Sequence, residues 1–154
     1  MTEAATDLSG LPADPPADLT ALRELVRPTV LSGERVLSVP EALHPLFPLG
    51  GLVRGSRLAV RGRAGASLCM ATLAEASQAG SWIAVVGLDA WGWAAAAHAG
   101  WQLARTVAVA DPPTSQWGTV VAALVDAVDV VVVDPTHQVT AVDARRLAAR
   151  ARER

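Results

Sequence analysis

Arg61-Gly62-Arg63-Ala64-Gly65-Ala66-Ser67-Leu68 is the stretch on which the reading of the fold turns. Before it, Arg57 to Arg61 is a short apolar run of the kind that forms a strand, and after it Leu68 to Ala79 carries helical spacing closed by Gly80. A glycine turn that joins a strand to a helix sits where a phosphate loop sits. In the functional pattern, G-x-x-x-x-G-K-[ST], backbone amides cradle the phosphates, the Lys holds their charge and the hydroxyl ligates magnesium. Here Gly62, Gly65 and Ser67 are present, Ala66 stands in place of the Lys, and two residues between the glycines are missing. A shorter loop cannot wrap the same oxygens.

The elements beyond the loop repeat the same order. Trp82 to Val86, Thr106 to Ala110 and Asp129 to Val133 are further strand candidates, mostly continuous apolar runs, as expected of strands covered on both faces. Between them lie helices at Trp93 to Ala99, closed by Gly100, and at Gln116 to Val128. The second of these places Trp117, Val120, Val121, Leu124, Val125 and Val128 on one face. A last helix starts near Thr140, where Thr140 and Asp143 have capping-box spacing. Strand-helix-strand repetition predicts an α/β fold with a mostly parallel, doubly wound sheet over residues 57–154. Upstream, residues 1–17 read as a flexible, proline-rich tail. Residues 18–56 read as an N-terminal helix, with Leu22 and Leu25 on one face, and an irregular linker that holds one short helix near Glu41 to His44.

Composition narrows the chemistry. The chain has 154 residues, a formal net charge of -2 and thirteen basic residues, all of them Arg; it has no Lys, no Tyr and no Asn. Schiff-base lysines and phosphate-binding lysines are therefore excluded for this chain alone. The single Cys69 excludes an internal disulfide framework and a multi-cysteine metal site, and suits a reducing compartment. The acidic start lacks the pattern of a secretion signal, and Asp89, His98, Asp126 and Asp129 interrupt every stretch that approaches the roughly 20 apolar residues of a membrane span. The reading is a cytoplasmic protein without a membrane partner.

From about Val36 to Asp134 the chain resembles the core of RecA recombinases. The resemblance rests on Leu43-His44-Pro45-Leu46-Phe47-Pro48-Leu49-Gly50-Gly51-Leu52 leading to Gly55 and the first strand, on Gly80-Ser81-Trp82-Ile83-Ala84-Val85-Val86, on Ala97-His98-Ala99-Gly100-Trp101, and on Val128-Asp129-Val130-Val131-Val132-Val133-Asp134. The degenerate loop and the Ala-rich body resemble more narrowly the ImuA proteins of GC-rich bacteria, accessory factors in SOS-induced, error-prone translesion synthesis. That resemblance implies partners: an ImuB-like, polymerase-related protein and an error-prone replicative-type polymerase. It also implies that Gly62, Gly65, Ser67 and Asp134 occupy degenerate Walker A and Walker B positions, with Asp134 a relic of the magnesium-supporting Asp or an ordinary turn before Pro135. A RecA-like sheet takes the strand beside the Walker B strand from the chain after the last helix, so the expectation is a core truncated before its last strands.

No residue is assigned a catalytic role and no metal or nucleotide cofactor is expected. Asp89 is shorter than the Glu that activates water in recombinases, His98 and His137 are isolated, and Ser67 has no evident base. Candidate contact surfaces are Trp91 and Trp93 in a turn, Arg145, Arg146 and Arg150 on the last helix, and Leu22 and Leu25, which either pack on a second copy or fold back. Trp82 is expected in the core, and DNA contact is indirect or weak. Three functions follow: a non-catalytic scaffold in translesion synthesis, an ATP-binding switch or weak ATPase, or a RecA-derived regulator of another process such as cell division.

Overall fold

Three consecutive valines and a fourth, Val130–Val133, form one outer strand of a parallel sheet in the computed structural model, which describes residues 36–134 and 139–153. All eight side chains on the adjacent strands Ile83–Val86 and Val130–Val133 are apolar, which leaves no period-two alternation, and a parallel sheet packed on both faces is the arrangement that tolerates it. The described residues begin with an antiparallel hairpin, β1 (Val36–Ser38) and β2 (Gly51–Val53), with Leu37 opposite Leu52. Then come α1 (Gly65–Gln78), β3 (Ile83–Val86), α2 (Trp93–His98), β4 (Thr106–Val109), α3 (Thr114–Ala127), β5 (Val130–Val133) and α4 (Ala141–Arg152). The main sheet has the order β4-β3-β5, all parallel, with Ile83 in register with both Thr106 and Val130.

The helix ends are written in the sequence. Gly80 and Gly100 adopt φ values of 100° and 107°. After α1, Gly80 N–H donates to Ser77 O and Ser81 N–H to Ala76 O; after α2, Gly100 N–H donates to Ala97 O and Trp101 N–H to Ala96 O. Both are Schellman closures, which satisfy the last helical carbonyls and need a left-handed residue at the step glycine fills. Thr140 caps α4: its Oγ1 accepts from Asp143 N–H and donates to the Asp143 carboxylate.

β3 is buried along its whole length. On one face Ile83 and Val85 pack with Met70, Leu73 and Ala74 of α1, Ala96 of α2 and the rings of Trp91 and Trp101. α3 packs against β5 and against α4 on the other side, where Trp117 and Val121 are buried. Val120, Leu124, Val125 and Val128 of the expected buried face are half-buried. At the foot of the sheet Asp129 joins three segments: its carboxylate accepts from Trp82 N–H at 2.9 Å and from Arg54 at 2.7 Å, while its own N–H and that of Val130 donate to Trp82 O.

Several expectations are corrected. Arg57 to Arg61 is not a strand, because among the described residues no neighbouring segment offers it a ladder of hydrogen bonds; Leu58 stands half exposed. The linker is not irregular throughout: it contains the β1–β2 hairpin, which packs on α1, and its helical part is the 3₁₀ segment Glu41–Leu46 with Pro45 inside it. Trp82 is 43% exposed rather than buried, since its backbone is latched to Asp129 at the strand's end while its ring lies outside the layers. The tail and the helix expected to carry Leu22 and Leu25 lie outside the described residues. What is shown is a mixed α/β fold with a small, parallel three-stranded sheet. Among the described residues no helix is long and apolar enough to cross a membrane.

Candidate functional site

The glycine turn leads into α1, but no strand immediately precedes it. Gly62 takes φ 106°, Gly65 N–H donates to Gly62 O, and α1 starts at Gly65 with Ala64 at the cap. No side chain caps the helix, and its first turn has no acidic residue. Ala66, Ser67 and Leu68 are exposed, as are Arg61 and Arg63. The turn thus offers the backbone amides of one helical turn and the Ser67 hydroxyl, with no cationic side chain on the first turn of α1. Among the described residues Ser67 Oγ has no hydrogen-bonded base. Asp134 follows β5 and is half-buried, with partners of its own. Asp89 is exposed in the turn after β3, and His98 is exposed at the end of α2. His137 lies outside the described residues. Among those described, no three His, Cys, Asp or Glu side chains converge on a cation site.

Of the two tryptophans expected at a partner surface, Trp91 belongs to the core, which corrects its assignment. Trp91 is 7% exposed and packs against Trp101 with ring centroids 5.8 Å apart; Trp93 is half-buried against the same cluster. The physical reason is volume. α2 is Trp93-Ala94-Ala95-Ala96-Ala97-His98, and four alanines cannot fill the space beneath a helix, so the flanking indoles fill it. Trp101 Nε1 donates to Met70 O at 2.9 Å, whereas Trp91 Nε1 is buried with no partner among the described residues.

The arginines of α4 are exposed but engaged. Arg150 pairs with Asp126 of α3 at 2.9 Å, Arg145 Nε donates to Ala141 O, and Arg146 borders a shallow polar groove between α3 and α4. An unforeseen apolar surface lies on the proline-rich segment between β1 and β2, where Leu46 and Leu49 are 66% and 61% exposed. The signal was present in Pro45-Leu46-Phe47-Pro48-Leu49: prolines that deny the backbone a regular ladder also hold the leucines out. Cys69 lies on the inner side of α1, and burial pushes its thiol up to about 11.

No curated protein matches this chain. Residues 45–154 match the family model described as the MT3502 N-terminal domain, a span that takes in the exposed leucines, the glycine turn, the parallel sheet and α4. The match covers well over half of the sequence, and the chain belongs to the MT3502 N-terminal domain family.

Proposed function

We propose that this chain is a non-catalytic scaffold of the RecA-like, ImuA kind, which supports error-prone translesion DNA synthesis through contacts with an ImuB-like partner and an error-prone replicative-type polymerase. The observation that carries the reading is the glycine turn at the start of α1, in the chain ahead of a parallel β4-β3-β5 sheet, two residues short and with Ala66 in the place of the Lys. Catalysis of phosphoryl transfer is largely charge placement, and a chain without Lys at a shortened loop has little to place. The outward-facing Leu46 and Leu49 favour work by protein contact. The finer RecA-like assignment is part of this proposal, as are the absence of a cofactor and a cytoplasmic location.

The test is affinity purification of the tagged full chain from cells after DNA damage. Recovery of a polymerase-related partner, reduced by Leu46→Asp with Leu49→Asp, is the expected result. A chain recovered without any such protein, or with division proteins instead, overturns the translesion assignment.

A further inference from the structure

The amino-terminal end of the main sheet gathers arginines that the sequence scatters. Ile83 is in register with Thr106 and with Val130, so one step earlier Trp82 stands between Arg105 and Asp129. Arg105 is exposed, and its Nη1 donates to Gly80 O at 2.6 Å, which holds the guanidinium beside the chain that leads to Trp82. On the other side the Asp129 carboxylate joins Trp82 N–H to Arg54. The next residue, Gly55, closes on the last turn of α4: a Cβ there would stand 3.0 Å from Arg152 Cα. Ser56 N–H donates to Val53 O to finish this turn, and the exposed Arg57 follows it. Arginines from three remote segments thus meet around one indole.

The balance of charge at this end is positive. Asp129 and Asp126 are engaged by Arg54 and Arg150. Arg57, Arg105 and Arg152 make no ion pair among the described residues, and Glu153 is the exposed carboxylate beside them. The ring at the centre is Trp82, 43% exposed although indoles ordinarily contribute by burial. Unpaired guanidinium groups suit phosphates, and an exposed ring suits the face of a base. A duplex hides those faces in its own stack, so the ring finds a partner only on an unpaired strand. An acidic peptide would use the arginines and leave the ring idle.

We propose that this end of the sheet binds single-stranded nucleic acid, with Arg57, Arg105 and Arg152 on the phosphates and the Trp82 indole stacked on a base. The contact does not rest on the scaffold reading: the leucines that favour protein contact lie on another segment, between β1 and β2.

Fluorescence anisotropy of a labelled oligothymidylate of about 16 nucleotides, titrated with the purified full chain, tests it. The expected Kd is about 1–100 μM at low salt, the range of sequence-independent binding. Three phosphate contacts on a single strand give a slope of about -2 in log K against log salt, so binding weakens about 15–20-fold between about 50 and 200 mM. Trp82→Ala weakens binding about fivefold or more with the slope unchanged, and Trp82→Phe restores most of it. Arg57→Gln, Arg105→Gln and Arg152→Gln each flatten the slope by about 0.7. Arg61→Gln with Arg63→Gln, at the other end of segment 57–60, leaves binding as in the wild type. Thermal unfolding of each variant shows that the fold is kept. Binding weaker than about millimolar, a Trp82→Ala chain that binds like the wild type, tighter binding of a duplex, or competition by polyglutamate as strong as by unlabelled oligothymidylate would overturn the proposal.

Discussion

Between about pH 9 and pH 11 the side chains that ordinarily titrate are Cys, Tyr and Lys, and this chain has one Cys, no Tyr and no Lys. Raising the pH through that window therefore perturbs one buried group, the Cys69 thiol. Burial raises it from the ordinary 9.0 to about 11. The folded state then holds a proton that the unfolded state releases first, so the free energy of unfolding falls as the pH rises from about 9, and the fall ends near 11. One proton limits the slope to about 1.4 kcal/mol per pH unit. Because the side chain is only half-buried and solvent screens part of the effect, the integrated loss is set at about 1–2 kcal/mol. That corresponds to a fall of roughly 2–8 °C in Tm for a domain of this size. Urea unfolding followed by far-UV circular dichroism at fixed ionic strength measures it, with Cys69→Ala as the control. A wild-type curve that stays flat, or a Cys69→Ala curve that falls as steeply, refutes the assignment.

The other predictions concern packing, backbone and the loop. Trp101→Ala costs about 3–5 kcal/mol in urea unfolding, whereas Trp101→Phe, which keeps most of the ring contact and loses the bond to Met70 O, costs about 1–2 kcal/mol. Gly55→Ala is more destabilising than Gly62→Ala by about 1 kcal/mol or more: both glycines have positive φ, but a Cβ at Gly55 meets the backbone of α4 and one at Gly62 meets nothing within 4 Å. Ala66→Lys produces no measurable ATP turnover, since the loop remains two residues short; turnover in a phosphate-release assay would show that the backbone cradle survives.

What could be read from the chain followed from local rules. The left-handed glycines ended α1 and α2, the Thr140 to Asp143 spacing capped α4, and the uninterrupted valines of β5 announced a strand packed on both faces. Arg57 to Arg61 failed for the complementary reason: an apolar run becomes a strand only when a neighbour supplies its hydrogen bonds, and local sequence does not say who the neighbour is. The β1–β2 hairpin was hidden because its strands have three residues each, too few for a period, and prolines fill the connection. Trp91 was misassigned because a turn position says nothing of burial; the poverty of α2 in side-chain volume was the better clue. At the candidate site the substitution of Ala66 and the short glycine spacing were plain in the sequence, whereas the joining of Arg54, Trp82 and Asp129 depends on residues far apart in the chain.

Titration of magnesium-ATP into the full chain by calorimetry tests the central claim most directly. A loop that lacks both the cation and the length to hold a triphosphate predicts no saturable heat up to about millimolar nucleotide. Saturable binding with a Kd in the micromolar range would contradict the scaffold account and make this domain a nucleotide-binding switch.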